Sequence, residues 1–126
     1  MKYLIDSSAW VEYLEGSQVG EKVNQILKED NEIITLPINI AEVISYISRK
    51  KGDVKLAYDL IIKNSQQFNF TIRIAKEAGI LHAKMKTENS SFSLADGFMI
   101  ISAKRLSANL ITKDHHFKQF KEAIII

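Results

Sequence analysis

Four acidic residues stand at positions from which a folded chain could bring them together: Asp6, Glu42, Asp96 and Asp114. Asp6 and Asp114 each follow a short apolar run typical of a buried strand, whereas Glu42 and Asp96 lie in the first turns of predicted helices. In an open α/β sheet, the carboxyl ends of the strands and the starts of the following helices share one edge. The sequence therefore predicts that the four carboxylates converge there.

A cluster of carboxylates is unfavourable by itself, because like charges at close range repel and raise one another's pKa. A bound Mg²⁺ removes this cost, since it prefers hard oxygen ligands and keeps several of its waters. Such an ion activates water and stabilises the charge that builds on a phosphate oxygen. We therefore interpret Asp6, Glu42, Asp96 and Asp114 as catalytic residues and metal ligands of a phosphodiester hydrolase.

Each acid also has a purely structural interpretation. Asp6 or the following serines could cap a helix, and Asp114 could cap the short turn after it. Asp96 stands three residues after Ser93, the spacing of a capping box. Glu42 could be a solvated helix residue. Taken singly these signals are weak, and their joint placement favours the functional interpretation.

The elements that would position the acids alternate along the chain. Apolar runs predict strands at residues 3–5, 33–36, 68–72, 109–112 and 124–126. Helical spacing of apolar residues predicts a helix that ends at Gly16 and further helices at about 19–29, 38–50, 53–64, 75–87 and 93–106. Alternation of apolar strands with helices is typical of an α/β three-layer sandwich, a central parallel sheet of about five strands flanked by helices.

Length and composition bound the class of protein. The 126 residues are 46% apolar and 25% charged, which predicts one globular domain spanning residues 1–126. The chain has no cysteine, which excludes disulfides and thiolate metal sites, and its formal net charge is only +2. No leader pattern opens the sequence and no apolar run is long enough for a bilayer. We expect a soluble, cytoplasmic protein that does not contact a membrane.

Four short motifs resemble those of the PIN-domain ribonucleases, and among these the VapC-type toxins. They occur in the order of that family over almost the whole chain: Leu4-Ile5-Asp6-Ser7-Ser8-Ala9-Trp10, Ile40-Ala41-Glu42-Val43, Phe92-Ser93-Leu94-Ala95-Asp96-Gly97-Phe98 and Leu110-Ile111-Thr112-Lys113-Asp114-His115-His116-Phe117. Each motif is degenerate, but four in order on an α/β pattern form a fairly specific match.

The resemblance implies that strand one lies beside strand four, that Mg²⁺ or Mn²⁺ is required, and that RNA is cleaved endonucleolytically by a homodimer. It also implies a cognate antitoxin that blocks the acidic pocket with a basic side chain. By position, the four acids match the acidic quartet of the family, and Ser7, Ser8 and Thr112 match its supporting polar residues. Gly97 departs from the pattern, since family members often carry Ala after the third acid.

Other functions stay open at this point. An aspartate-based phosphohydrolase also uses an Asp after strand one, but its second acid would stand where Ser8 is. A PIN-fold module that only binds RNA or protein would not need the acids. His115 and His116 make a weak zinc site, because His82 is the one further histidine. Lys113 and Lys104 are candidate phosphate contacts, and Trp10 is either a base-stacking residue or part of the core.

Overall fold

Five short parallel strands form the centre of the protein in a computed structural model, which describes residues 1–126. The strands are β1 (Lys2–Ile5), β2 (Glu32–Thr35), β3 (Gln66–Gln67), β4 (Asn109–Thr112) and β5 (Ala123–Ile125), and they lie in the order β3-β2-β1-β4-β5. Tyr3 of the central strand pairs with Ile33 on one side and Asn109 on the other. The predicted parallel sheet, with strand one beside strand four, is confirmed.

Alternation of side chains along the strands divides the core into two layers. Leu4, Ile34 and Leu110 face one side of the sheet, whereas the next or preceding residue of each strand faces the other side. These residues are all almost completely buried. Because both faces of the strands are apolar, helices must cover both faces.

Six helices supply the two covering layers. They are α1 (Ser7–Leu14), α2 (Gln18–Lys28), α3 (Pro37–Arg49), α4 (Val54–Asn64), α5 (Ile72–Lys86) and α6 (Leu94–Leu106). Trp10, Val23, Val43 and Ile61 place α1 to α4 on one face, and residues of α5 and α6 pack on the other. The three-layer α/β sandwich is therefore confirmed. None of the helices is both long and apolar enough to traverse a bilayer.

The strand predicted at residues 68–72 is wrong. The third strand is the two-residue segment Gln66–Gln67, which pairs with the end of β2. Phe68 and Phe70 instead pack against the core beneath α5 and α6, and the Phe70 ring lies 4.2 Å from that of Phe98. Thr71 accepts a hydrogen bond from the Ile74 amide and caps α5, so the helix begins three residues earlier than predicted.

Gly97 has a packing reason that the sequence did not show. The start of α6 approaches α5 so closely that a Cβ at Gly97 would lie 2.8 Å from the carbonyl oxygen of Ala78. An alanine there would force the two helices apart. The departure from the family pattern is thus explained by tight contact between α5 and α6 beside Asp96.

Candidate active site

Asp6 directly follows the central strand β1, and its carboxylate lies at the edge of the sheet where the strands end. Its backbone amide still donates to Ile111 of β4 at 2.9 Å, which holds the residue in line with the strands. Asp6 stands at the N-cap position of α1, but its side chain makes no capping bond. Instead Oδ2 accepts hydrogen bonds from Thr112 Oγ1 at 2.8 Å and Ser8 Oγ at 3.0 Å. The simple capping interpretation of Asp6 is therefore wrong.

Burial makes Asp6 an unusual carboxyl group. The residue is only 5% exposed, and its pKa is raised from 3.8 to about 6, with burial as the largest cause. The hydrogen bonds from Thr112 and Ser8 act in the opposite direction, and the charges of Asp114 and Glu42 contribute to the rise. No basic side chain compensates the charge of Asp6, because none forms an ion pair with it.

Glu42 approaches Asp6 across the site from α3. The hydroxyl of Ser7 lies 3.1 Å from Glu42 Oε1, to which it donates, and 3.5 Å from Asp6 Oδ1. One serine hydroxyl thus bridges two carboxylates. Glu42 is exposed as a residue, yet partial desolvation of its carboxylate is the largest cause that raises its pKa, and the charges of Asp96 and Asp114 add to it.

Asp96 combines a structural role with its place near the cluster. Its amide donates to Ser93 Oγ at 3.1 Å and its Oδ2 accepts from the Ser93 amide at 2.8 Å, so the predicted capping box is present. His116 Nε2 also lies 3.0 Å from the same oxygen, at an angle that falls short of a hydrogen bond. Asp96 Oδ1 accepts no hydrogen bond within the protein.

Asp114 lies beside Asp6 because β4 pairs with β1. Its amide donates to Thr112 Oγ1 at 3.0 Å, and its side chain makes no capping bond to the 3₁₀ turn His115–Phe117 that follows. The Thr112 hydroxyl therefore links the amide of Asp114 to the carboxylate of Asp6. The charge of Asp114 raises the pKa of both Asp6 and Glu42.

The structure thus brings the four predicted acids around one edge of the sheet. The charges of Glu42 and Asp114 raise the pKa of Asp6. The charges of Asp96 and Asp114 raise the pKa of Glu42. No three acidic or histidine side chains converge closely enough to enclose a metal ion by themselves. The donor set nevertheless fits a hard divalent cation, because it consists of carboxylate and hydroxyl oxygens and because such a cation retains waters between itself and some of its ligands.

One buried residue near the site was missed in the sequence. Asn39 is fully buried on α3, where its Oδ1 accepts the Leu36 amide at 3.2 Å. Its Nδ2 donates to Met99 Sδ at 3.2 Å, and the Asn39 side chain lowers the pKa of the Glu42 carboxyl, against the effect of burial. An asparagine in a first helical turn looks like an ordinary cap, so the sequence carried no signal for this second contact.

Of the three residues considered as RNA contacts, only one lies beside the acidic residues. Trp10 is completely buried and its Nε1 donates to Thr35 Oγ1 at 3.1 Å, so it cannot stack on a base. Lys104 lies beside the first residue of β4, at the edge opposite the acids, and a phosphate contact at this site is therefore wrong for Lys104. Lys113 does lie beside the serines that follow Asp6, since its amide donates to Ser8 Oγ at 3.0 Å.

The family model of the PIN domain matches residues 3–123, almost the whole chain. The chain belongs to the PIN domain family. The resemblance inferred from the four motifs is therefore confirmed. Among proteins with curated functions, none matches this PIN domain significantly in sequence.

Solved structures share the fold over nearly their full length. VapBC2 from Rickettsia felis, bound to a DNA fragment from its promoter, has a TM-score of 0.76 at 18% identity, with 100% of this chain and 98% of that chain covered. A toxin–antitoxin complex from Klebsiella pneumoniae has a TM-score of 0.75 at 17% identity, with 97% and 95% covered. VapC20 from Mycobacterium tuberculosis, a sarcin–ricin loop cleaving toxin, has a TM-score of 0.75 at 12% identity, with 92% of each chain covered. At these identities the likeness establishes the shared fold.

Proposed function

We propose that this PIN domain is a metal-dependent endoribonuclease that hydrolyses RNA phosphodiester bonds in the cytoplasm. The observation that carries the proposal is the gathering of four carboxylates at one edge of the sheet, among them Asp6, whose pKa is raised to about 6 and whose charge has no basic partner. Nothing in the fold requires this repulsion, whereas a divalent cation would relieve it. RNA is favoured as substrate because VapC20, which shares the fold, is described as cleaving the sarcin–ricin loop.

Asp6, Glu42, Asp96 and Asp114 are the residues that would hold Mg²⁺ or Mn²⁺. The bound ion would supply an activated water and stabilise the charge on the phosphate oxygens. The protein's own contribution is orientation: Thr112 and Ser8 fix Oδ2 of Asp6, and the Ser93 amide fixes Oδ2 of Asp96. In this proposal Ser7 keeps the carboxylates of Asp6 and Glu42 near each other.

We also propose that the protein is the toxin of a toxin–antitoxin pair and acts as a homodimer. The compared structure from Klebsiella pneumoniae is described as a toxin–antitoxin complex and VapC20 as a toxin, and they cover 97% and 92% of this chain. An antitoxin with a basic side chain would neutralise the acidic edge. Light scattering of the isolated protein and co-purification with the product of the neighbouring reading frame test the two proposals separately.

The decisive experiment is cleavage of a labelled single-stranded RNA. We expect internal cuts in the presence of Mg²⁺ or Mn²⁺, no cuts in EDTA, and no cuts by the Asp6→Asn variant in any metal. Asp59→Asn is the matched control, because Asp59 is an exposed acid on α4 that pairs only with Lys55. Metal-independent cleavage, or full activity of Asp6→Asn, would refute the proposal.

Two other functions predict different results in the same assay. An aspartate-based phosphohydrolase would form an acyl phosphate on Asp6, but the buried Oδ2 of that residue already accepts two hydrogen bonds. A PIN-fold module without activity would bind RNA or protein and leave the labelled RNA intact in every metal.

A further inference from the structure

A groove of about 320 Å³ opens beside the acidic residues, between α1 and α3. Its lining begins within the site and continues away from it, and it includes Ser7, Ser8, Glu42, Tyr46, Arg49 and Lys113. A polymer that places one phosphodiester at the carboxylates therefore has a continuous path along the groove for its next unit.

The far wall of the groove is one face of α3. Glu42, Tyr46 and Arg49 are separated by four and three residues, so they lie in a row along the helix. With a rise of about 1.5 Å per residue, Arg49 lies roughly 10 Å along the axis from Glu42. The row thus leads from a carboxylate of the site to an aromatic ring and then to a positive charge.

The positive charge of Arg49 is not balanced within the protein. Its Nε donates to the Ser45 carbonyl at 3.3 Å, and no carboxylate lies within ion-pair distance of its guanidinium. The acid in the groove wall besides Glu42 is Glu12, and it is already paired, because Lys113 Nζ lies 3.4 Å from its Oε1 and Ser17 donates to the same oxygen. Arg49 is therefore left to attract an anion.

The ring of Tyr46 is held in place before any ligand arrives. Its hydroxyl donates to Glu15 Oε2 at 3.0 Å, and Lys50 Nζ lies 4.9 Å from the ring centroid. The residue is half-buried, so part of the ring remains accessible in the groove. An aromatic ring that is already oriented can stack on a base of any identity with little loss of conformational entropy.

We propose that this groove is the subsite for the nucleotide next to the cleaved bond in single-stranded RNA, with Tyr46 stacking on its base and Arg49 binding its phosphate. The inference rests on the proposed ribonuclease function. Single-stranded RNA offers the unpaired base and the flexible backbone that such a row can bind. A basic peptide is disfavoured, because it would meet the unpaired charge of Arg49.

Steady-state kinetics on an RNA oligonucleotide test the subsite. Arg49→Gln and Tyr46→Leu should each raise KM by roughly tenfold and lower kcat less, whereas Tyr46→Phe, which keeps the ring but loses the hydrogen bond to Glu15, should raise KM by a smaller factor than Tyr46→Leu. For Arg49→Gln and Tyr46→Leu, the ratio of kcat/KM for RNA to that for bis(p-nitrophenyl) phosphate, a diester without a base, should fall by roughly tenfold or more. Lys104→Gln, which removes one positive charge at the opposite edge of the sheet, is the matched control.

Binding separates failure of the subsite from failure of the proposed function. In an inactive Asp114→Asn background, Arg49→Gln should reduce the slope of log affinity against log salt by about 0.7. If the wild type hydrolyses neither substrate, the ribonuclease proposal fails and the RNA affinities alone decide the subsite. If KM, RNA affinity and salt slope are unchanged in both Arg49→Gln and Tyr46→Leu, the subsite proposal is wrong. The groove would then be a candidate site for a protein partner.

Discussion

The hydroxyl of Thr112 donates a 2.8 Å hydrogen bond to Asp6 Oδ2, although 106 residues separate the two in the chain. The contact exists because β1 and β4 are neighbours in the sheet and both end at the same edge. The same hydroxyl accepts the amide of Asp114. Thr112 is therefore the point at which the two strand-end acids are fixed relative to each other.

Replacement of Thr112 by valine should impair the site without changing its shape. Loss of the hydrogen bond removes an effect that lowers the pKa of Asp6, so that pKa should rise above about 6. The acidic limb of the pH–rate profile should move to higher pH, and kcat/KM at neutral pH should fall about ten- to a hundredfold. Thr35→Val is the control, because Thr35 is equally buried at the end of β2 and bonds only Trp10 and Ser65. A profile that shifts equally in both variants would contradict this role.

Replacement of Asp6 by asparagine should stabilise the metal-free protein while it abolishes cleavage. Because the pKa of Asp6 is about 6 in the folded state and 3.8 as an ordinary carboxyl, the wild type should lose stability as pH rises from about 4 to 6. The penalty is absent below that range and complete above it, on the order of 2–3 kcal/mol. Urea unfolding in EDTA at several pH values measures it, with Asp59→Asn for comparison. Parallel stability curves for wild type and Asp6→Asn would refute the prediction.

Addition of Mg²⁺ or Mn²⁺ should raise the melting temperature of the wild type, because a cation bound to the native state relieves the repulsion among the acids. The increase should be smaller in Glu42→Gln and should grow with metal concentration. Differential scanning calorimetry with and without EDTA measures it, and Ca²⁺ tests how strictly the site selects a small cation. An identical increase in the wild type and Glu42→Gln would show that the metal binds elsewhere.

Replacement of Gly97 by alanine should destabilise the fold and disturb Asp96. The added Cβ would meet the Ala78 carbonyl at 2.8 Å, so α5 and α6 must separate. We expect a loss of about 1–3 kcal/mol in unfolding free energy, together with weaker metal binding through the displaced first turn of α6. Gly79→Ala is the matched control, since a Cβ there meets nothing within 4 Å. Equal stability of the two variants would contradict the packing argument.

Much of the fold could be predicted because its apolar periodicity is strong. The strands that contain Leu4, Ile34 and Leu110 are buried on both faces, and their apolar runs stand out in the sequence. The strand Gln66–Gln67 could not be found, because an exposed two-residue edge strand has no apolar pattern. The strand was predicted at the aromatic residues Phe68 and Phe70 instead, although their side chains pack against the core beneath α5 and α6.

The acids of the site could be proposed from strand ends and helix starts, but its finer contacts could not. Ser7 bridging Asp6 and Glu42 depends on how α1 and α3 approach each other, and sequence spacing does not determine that distance. The role of Asn39 likewise depends on a neighbour that is distant in the chain. The role of Arg49 depends on the lack of an ion-pair partner. Such properties appear only once the helices are packed.

The pairing of β1 with β4 has a consequence during synthesis. Asp6, Glu42 and Asp96 are all translated before Asp114, and the strand that brings Asp114 and Thr112 to Asp6 emerges only after α6 is complete. A nascent or truncated polypeptide that stops before Asn109 therefore lacks a finished acidic edge. If the protein cleaves RNA as proposed, the ribosome and messenger that produce it are spared until nearly all of the domain has been made.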